Sequence, residues 1–191
     1  MIYETIITSC SATGEVHVAP FGIQWQEGRV LIMPFQPSTT LDNILQTQLA
    51  VMNLSDDVRV FAAAIAKKTS VATVAIAGMP AARLKDSLAH HLLALDQVEE
   101  DAVRPKLWMR VVSSETHAPF MGFNRAQAAV IELAVLVSRL QRLPVEKITQ
   151  EMQYLQIAID KTAGPRELEA WQWLVDCVNN HLTQQSGLQQ A

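Results

Sequence analysis

Residues 2–35 read IYETIITSCSATGEVHVAPFGIQWQEGRVLIMPF, and this stretch decides the fold class. Three segments rich in β-branched and aromatic residues, Ile2–Ser9, Val16–Trp25 and Arg29–Phe35, predict three β-strands. A turn containing Gly14 separates the first two segments, and a turn containing Gly28 separates the last two. Glycine readily adopts the positive φ that tight strand connections need. The sequence therefore predicts an antiparallel meander that begins a barrel or a sandwich.

The chain beyond this meander alternates short helical and strand patterns. Thr40 is the candidate N-cap of the first short helix. Leu88–Val98 is largely apolar and fits a buried strand or a helix, and we favour the strand. Lys106–Glu115 alternates with the two-residue period of a strand and is expected to be the last strand of a barrel. The other predicted elements are a helix over Leu41–Leu49, a strand over Ala50–Leu54, a helix over Asp57–Ala66 and a strand or loop over Val71–Ala77.

After Pro119 the apolar period becomes helical. Asn124 is a candidate N-cap, and breaks at Pro144 and Pro165 divide the remainder into three amphipathic segments. Short loops between such segments indicate an antiparallel helical unit. Trp171 falls on an apolar stripe and is expected in the core. The predicted fold class is α+β, with a strand-rich domain over residues 1–120, a helical domain over 121–185 and a frayed tail over 186–191.

Composition excludes several classes of function. The chain has a net charge of −4 and lacks a cationic stripe that could neutralise phosphates, so nucleic acid is not an expected partner. The apolar runs are too short or too interrupted to span a bilayer, and no basic-then-apolar segment opens the chain. Cys10 and Cys177 form no disulfide framework. We therefore expect a cytoplasmic protein with reduced thiols and no membrane association.

Patterns of catalytic and metal-binding residues are weak. His90 and His91 are adjacent, which in a strand sends them to opposite faces, and the other histidines are scattered, so no metal site is expected. No nucleophile motif surrounds Cys10, which fits an unreactive thiol at a strand end. Ser38-Thr39-Thr40 precedes a helix and could accept an anion. A plain helix cap explains the same residues, and Asp42 in the first turn would repel a phosphate.

Several motifs resemble, in order and spacing, a family known as domain of unknown function 447. They cover most of the chain. The matching stretches are Tyr3 to Thr8, Val18 to Ile23, Met33 to Phe35, Ser38 to Ile44, Val51 to Asp57, Arg83 to Asp86, Gly122 to Ala126 and Ala129 to Glu132. The family occurs in methanogenic archaea and in bacteria that oxidise one-carbon compounds through tetrahydromethanopterin.

The resemblance implies an FMN-binding split β-barrel followed by a C-terminal antiparallel three-helix unit. Split barrels similar to flavin reductases and pyridoxamine-phosphate oxidases dimerise and hold FMN at the subunit interface, so it also implies a homodimer. Three groups of flavin-binding residues follow from it. They are Thr8 and Ser9 with Asn53 and Ser55 lining the cleft; Ala19, Pro20, Phe21 and Gly22 approaching the flavin ring by backbone; and Ser38, Thr39 and Thr40 at the phosphate.

The chain departs from related sequences in the loop before the phosphate-binding residues. Related sequences carry basic residues there, whereas this chain has Gln36-Pro37-Ser38-Thr39. Arg125 is the favoured alternative cation, with Arg83 and Lys85 as further candidates; a structural role explains Arg125 equally well. Two hypotheses follow. The protein is an FMN-dependent oxidoreductase linked to tetrahydromethanopterin-dependent one-carbon metabolism, or it is a non-catalytic split-barrel dimer that serves as a ligand-binding or protein-interaction accessory factor.

Overall fold

A computed structural model describes residues 1–68 and 71–188, with side chains up to residue 185. The chain divides into two compact units. The first unit comprises Met1–Asp56 and Val71–Phe120, and the second comprises Asp57–Ser70 and Met121–Ala191. The segment that begins at Asp57 therefore belongs to the second unit, although it lies within the sequence range 1–120 of the predicted strand-rich domain.

The first unit is a six-stranded closed barrel with strand order β1-β2-β3-β8-β7-β4. All neighbouring strands are antiparallel. A separate two-stranded sheet, β5 and β6, and one helix, α1, complete the unit. The elements are β1 (Ile2–Cys10), β2 (Val16–Gln26), β3 (Arg29–Ile32), α1 (Thr39–Thr47), β4 (Leu49–Leu54), β5 (Thr73–Ala75), β6 (Ala82–Leu84), β7 (Ala89–Glu99) and β8 (Lys106–Thr116).

Strand alternation gives the barrel wall two different faces. Odd-numbered residues of β1 point inward, where Ile7 packs with Ile23 and Met52 in the barrel core. Leu41 and Ile44 of α1 belong to the same buried cluster, so α1 plugs one end of the barrel. On the outer face, Val51 and Leu92 form a separate buried cluster with Ala81, which adjoins β6. The short sheet therefore covers part of the outer wall.

Strand β2 is paired along both edges for only part of its length. It pairs with β1 over Val16–Gln24, whereas within the described chain its pairing with β3 covers only Gln24–Gln26. The tight β2–β3 turn places Glu27 at φ 51° and Gly28 at φ 75°. Because β3 is short, the edge of β2 from Val16 to Ile23 is open. Within the described chain, no strand pairs with that edge, so its backbone groups can meet a ligand, except that Pro20 has no N–H and the Phe21 carbonyl accepts from Thr5.

The second unit consists of four helices: α2 (Arg59–Ala66), α3 (Arg125–Val137), α4 (Val145–Thr162) and α5 (Pro165–Leu188). Its core includes Val130, Leu133 and Ile148, all fully buried, with Trp171 at 6% exposure. Asn124 caps α3 by accepting hydrogen bonds from the amides of Ala126 and Gln127. The predicted frayed tail overlaps the last turn of α5 at 186–188, and residues 189–191 lie outside the described chain.

Several predicted boundaries need correction. Thr40 is not the N-cap of α1, because Ser38 has extended backbone angles and its side chain accepts a hydrogen bond from Leu41 N. The third strand ends at Ile32, before two prolines that cannot donate to a ladder. The segment Leu88–Val98, which also fitted a helix, is strand β7. Among the described helices, none is long and apolar enough to cross a membrane.

Candidate functional site

Asn53 is the centre of a buried polar network on the outer wall of the barrel. Its side-chain nitrogen donates to the carbonyl of Ile6, the hydroxyl of Thr8 and the carbonyl of Val51, at 3.1 to 3.2 Å. Its side-chain oxygen accepts from Leu84 N at 2.8 Å. Since Asn53 is fully buried, this network ties β1, β4 and β6 together.

Thr8 and Ser9 are also satisfied within the protein. The Thr8 hydroxyl donates to the carbonyl of Ala82, which joins β1 to β6. The hydroxyl of Ser9 accepts from the Asn43 side chain at 3.1 Å, which joins β1 to α1. Both side chains are at most 2% exposed. The polar groups of these three predicted cleft residues, Thr8, Ser9 and Asn53, are thus engaged in holding the barrel, β6 and α1 together.

The beginning of α1 has the geometry of an anion site. Ser38 is half-buried and Thr39 exposed, whereas the Thr40 side chain is buried. The amide of Leu41 is bonded to the Ser38 hydroxyl and the amide of Asp42 to the Ser38 carbonyl. The amides of Thr39 and Thr40 precede the first helical hydrogen bond, and the described contacts show no partner for either, although Thr40 as a whole is only 2% exposed. The exposed Asp42 opposes an anion at the same end of the helix.

Sequence reasoning missed a cation beside this helix start. The guanidinium of Arg104 donates to the carbonyl of Met33 at 3.0 Å and lies 4.5 Å from the centre of the Phe35 ring. The amide of Gln36 donates to the carbonyl of Val103, so the β7–β8 turn is bonded to the segment that leads into Ser38. Arg104 is exposed. It thus supplies a positive charge to the loop that lacks one of its own.

Asp101 fixes the conformation of the turn that carries Arg104. Its carboxylate accepts hydrogen bonds from the amides of Val103 and Arg104, at 2.8 and 2.7 Å. These two amide bonds, the one from Arg104 foremost, lower the pKa of Asp101. The aspartate is therefore charged at neutral pH and holds the turn in one shape. No sequence motif marks this arrangement, because Arg104 and Met33 are 71 residues apart.

Ala19, Pro20, Phe21 and Gly22 lie on β2, within its open edge, and all four are half-buried. Phe21 pairs with Thr5, whose hydroxyl donates to the Phe21 carbonyl at 3.1 Å. A Cβ atom at Gly22 would lie 2.9 Å from the Ile2 side chain. The structure therefore brings these residues together on one strand. Because Gly22 has no side chain, its backbone is not covered at that position.

Two further predicted site residues follow β4 and begin α3. Ser55 follows β4 and is half-buried. Arg125 opens α3 in the second unit and is exposed. Arg83 donates to the carbonyls of Leu84 and Lys85 at 2.8 and 2.9 Å. Among the described contacts, Arg104 is the cation bonded to the segment before α1, at Met33.

A cavity of about 300 Å³ opens at the barrel end opposite α1. The Trp25 and His91 rings meet edge to face there, with centres 5.4 Å apart, and His91 Nδ1 is 2.6 Å from the Ser114 hydroxyl. Burial lowers the pKa of His91, so its imidazole is neutral at pH 7. The cavity suits an apolar or aromatic group. Its lining residues are Tyr3, Glu4, Thr5, Ile23, Trp25, Met52, Leu54 and His91.

Cys10 does not provide a nucleophile. The residue is buried, and burial raises the pKa of its thiol, although a backbone hydrogen bond at Ala82 acts in the opposite direction. A thiol is far less reactive than a thiolate. The described part of the barrel unit thus offers an open strand edge, helix amides and an arginine. These groups can bind a ligand, but they are not nucleophiles.

Comparisons with known proteins agree with this fold. The model for the N-terminal domain of the protein of unknown function DUF447 matches residues 3–118, and the model for the C-terminal part matches residues 124–176. No functionally curated protein matches the chain significantly. The barrel with five helices confirms the predicted α+β fold class of split β-barrel plus C-terminal helices.

Solved structures show the same fold at low sequence identity. The crystal structure of an FMN-bound DUF447 protein from Methanosarcina mazei has a TM-score of 0.79 and 18% identity, and the match covers 92% of this chain and 94% of that chain. A putative flavin reductase with a split barrel domain from Shewanella frigidimarina has a TM-score of 0.54 at 13% identity, covering 60% and 66% of the two chains. With both family models matched in order along the sequence, this chain belongs to the DUF447 family.

Proposed function

We propose that this protein binds FMN on its barrel unit, with the phosphate at the start of α1 and the isoalloxazine ring along the open edge of β2. The observation that carries the proposal is the position of Arg104, which is hydrogen-bonded to the Met33 carbonyl beside the segment leading into Ser38. That contact supports a cation beside the segment that leads to the α1 amides, where a phosphate would bind.

Three kinds of group would hold the phosphate. The amides of Thr39 and Thr40 point out of the first turn of α1, and the half-buried Ser38 can donate its hydroxyl hydrogen while its oxygen caps the helix. Arg104 would add a planar pair of N–H donors, which suit phosphate better than a lysine would. Ser9 and Asn43 would act indirectly, because their hydrogen bond fixes α1 against β1.

The open edge of β2 would hold the ring. Isoalloxazine carries carbonyl oxygens and ring nitrogens that match the amides and carbonyls of an unpaired strand. Ala19, Phe21 and Gly22 offer small or flat surfaces next to that edge, and Gly22 has no side chain to obstruct a ligand. Thr8 and Asn53 would keep β1, β4 and β6 rigid behind the site. Bound FMN would supply the capacity for hydride or single-electron transfer.

The fold comparisons support this choice of ligand. The Methanosarcina mazei protein of the same family is described as FMN-bound, and a similar protein from Streptomyces globisporus is an NADH:FAD oxidoreductase, with a TM-score of 0.51 at 12% identity over 60% of this chain and 75% of that chain. Redox turnover is a further step of the proposal. We infer that the protein is an FMN-dependent oxidoreductase that acts as a cytoplasmic homodimer in tetrahydromethanopterin-dependent one-carbon metabolism.

A titration of purified, flavin-free protein with FMN and with riboflavin tests the binding site. We expect flavin fluorescence to be quenched at about one FMN per chain, and riboflavin, which lacks the phosphate, to bind at least tenfold more weakly because the helix amides and Arg104 have no anion to contact. Equal affinity for the two flavins would contradict the phosphate site. Absence of binding to either flavin would contradict the whole proposal.

The redox and assembly steps need separate measurements. The FMN complex is mixed anaerobically with NADH or NADPH, and loss of the visible flavin absorption would support an oxidoreductase. Sedimentation measurements with and without FMN determine whether the protein is a dimer. If flavin binds but no donor reduces it beyond the rate for free FMN, the non-catalytic role is favoured.

The cavity at the open barrel end favours a second candidate function, a ligand-binding accessory factor without redox turnover. Its walls combine Trp25 and Tyr3 with aliphatic side chains, which suits an apolar ligand. An apolar fluorescent dye should bind to the wild type about tenfold more tightly than to Trp25→Ala, because the ring forms one wall. Tyr154→Ala, at an exposed aromatic residue of α4, is the matched control. Unchanged dye affinity in Trp25→Ala would exclude this cavity as the binding site.

A further inference from the structure

A cluster of two histidines and one glutamate lies on the outer face of the barrel wall. His90 on β7 pairs directly with Glu115 on β8, and His117 follows two residues later. Because side chains alternate along a strand, His90 and Glu115 share the face opposite to that of His91, which lines the cavity. One possible ligand atom from each of the three residues lies within 4.8 Å of the other two. The three side chains are therefore close enough to share one ion after small rotations.

The two imidazole nitrogens lie somewhat closer together than a shared metal requires. His90 Nδ1 lies 2.9 Å from His117 Nε2, whereas two nitrogens bonded to one metal at about 2.1 Å in a tetrahedral site would be about 3.4 Å apart. The rings are nearly parallel, at 1°, with centres 5.1 Å apart, so the nitrogens face each other as in a hydrogen bond and the His117 ring must turn to admit a metal. The Glu115 carboxylate is 3.9 Å from the other nitrogen of His117. Since the Glu115 side chain is 67% exposed, rotation can bring its oxygen to the metal without disturbing the strand.

The backbone around the cluster is fixed. The amides of His117 and Ala118 both donate to the carbonyl of Leu88, at 2.7 and 3.1 Å, which holds the end of β8 against the start of β7. His90 is 4% exposed and lies between Glu115 and the buried Asn53 in the sheet. The sheet around His90 therefore holds its ring in place.

Arg83 is the charge that opposes a cation here. Its guanidinium donates to the carbonyls of Leu84 and Lys85 at 2.8 and 2.9 Å, so two backbone carbonyls partly offset its charge. His91, whose charge would also oppose a cation, lies on the other face of the sheet and is neutral at pH 7 because burial lowers its pKa. Glu115 supplies the balancing negative charge.

We propose that His90, Glu115 and His117 bind one divalent first-row transition metal ion. Two imidazoles and one carboxylate are ligands that zinc, cobalt, nickel and ferrous iron accept, whereas calcium and magnesium prefer oxygen ligands alone. Three protein ligands leave at least one coordination position for water or a small ligand. The proposal stands independently of flavin binding, because it rests on these side chains only.

Cobalt titration of chelator-treated, full-length protein tests the site. Co²⁺ in a protein site with imidazole ligands gives visible absorption bands that report binding directly. We expect one Co²⁺ per chain, displaced by Zn²⁺, and at least a tenfold loss of affinity in His117→Gln and in Glu115→Gln. Glu115→Gln changes an exposed side chain, so its fold should be preserved, which circular dichroism checks. His17→Gln, on β2 and outside the cluster, is the matched control and should bind as the wild type does.

Two results would overturn the proposal. One is a wild type that binds Co²⁺ no better than the double variant His90→Asn, His117→Gln. The other is unchanged affinity in both His117→Gln and Glu115→Gln. Either result would leave the histidines as an internal hydrogen-bonded pair, in which one imidazole donates to the other.

Discussion

The guanidinium of Arg104 lies 4.5 Å from the centre of the Phe35 ring and donates to the carbonyl of Met33 at 3.0 Å. This contact brings the β7–β8 turn to the segment before α1. Stacking on an aromatic ring holds the guanidinium without using all five of its N–H donors. The remaining donors are free to engage an anion, so Arg104 can act as the positive charge of a phosphate site.

Replacing Arg104 should therefore weaken FMN binding selectively. We expect Arg104→Ala to lower FMN affinity about tenfold or more, since a hydrogen bond to a charged group contributes about 1.5–3 kcal/mol. The FMN affinity of Arg104→Lys should lie between those of the wild type and Arg104→Ala, because lysine keeps the positive charge but lacks the planar guanidinium. Fluorescence titration with FMN and riboflavin measures both effects. Riboflavin affinity should not change, and neither should FMN affinity in Arg110→Ala, an exposed arginine on β8.

Replacing Asp42 should have the opposite effect and strengthen FMN binding. Its carboxylate is exposed in the first turn of α1, where it favours the helix but repels an anion bound to the same amides. Asp42→Asn should tighten FMN binding about two- to fivefold, corresponding to the usual 0.3–1 kcal/mol for a charge at a helix end. Asp86→Asn, an exposed aspartate between β6 and β7, is the control. Unchanged FMN affinity in Asp42→Asn would show that the phosphate does not lie at this helix end.

Local patterns in the sequence predict most of the barrel but not its ligand-binding contacts. The strands Ile2–Cys10 and Val16–Gln26 follow from β-branched residues and glycine turns. Arg104 could not be assigned in this way, because its partner Met33 is 71 residues away and the contact depends on the closure of the barrel. A search limited to the loop before Ser38 therefore finds no cation, although the fold supplies one from another turn.

The histidine cluster shows how far strand register can be read from sequence. Glu99 pairs with Lys106 at the turn, and nine residues further along each strand His90 pairs with Glu115, so counting outward from the turn identifies the pair. Counting does not identify the face. Register shifts next to Leu93 and Leu95 reverse the alternation. Simple alternation would place Ser113 on the inner face of the barrel with Met109. In the structure Ser113 instead pairs with Leu92, which lies on the outer face.

Replacing Asn53 should lower the stability of the barrel more than most single substitutions would. Asn53→Ala removes four buried hydrogen bonds and leaves the amide of Leu84 without its side-chain partner. We expect the free energy of unfolding to fall by about 3 kcal/mol, the upper range for leaving a buried polar group unsatisfied. Urea denaturation measures the change. Asn180→Ala, at an exposed position on α5, should change it by less than about 0.5 kcal/mol.

The family resemblance predicts that Asn53 lines the flavin cleft, and its hydrogen bonds also give it a structural role. Its position in the motif Val51-Met52-Asn53-Leu54-Ser55 carries the family resemblance, and a motif does not distinguish a ligand contact from a structural one. A buried asparagine with both side-chain atoms engaged fixes strand positions. If Asn53→Ala lowers stability and also lowers FMN affinity in proportion to the unfolded fraction, its role is structural. A loss of FMN affinity in fully folded Asn53→Ala would instead indicate a direct contact.

Asp57 in the helical unit gives a prediction for pH dependence. Burial alone would raise the pKa of Asp57, but hydrogen bonds and charge from Arg59, with the charge of Arg166, outweigh it and lower the pKa. Arg59 donates to both carboxylate oxygens, at 2.6 to 3.2 Å, and Arg59 N donates to Oδ1 at 3.1 Å. A carboxylate with a lowered pKa in the folded state stabilises the fold above its unfolded pKa and loses that effect as pH falls through the folded value.

We therefore expect Asp57→Asn to reduce the free energy of unfolding at pH 7 by about 2 kcal/mol, typical for a hydrogen bond to a charged group. The difference from the wild type should begin to shrink below pH ~4, where the Asp57 carboxyl becomes protonated in the unfolded state, and shrink further as pH falls towards its lowered folded-state pKa. Urea titrations at pH 7 and pH 3, followed by the helical circular dichroism signal, measure both values. Asp160→Asn, an exposed aspartate on α4, should show no comparable difference. A gap between wild type and Asp57→Asn that stays constant down to pH 3 would mean that hydrogen-bond geometry, rather than the charge of Asp57, stabilises this end of the helical unit.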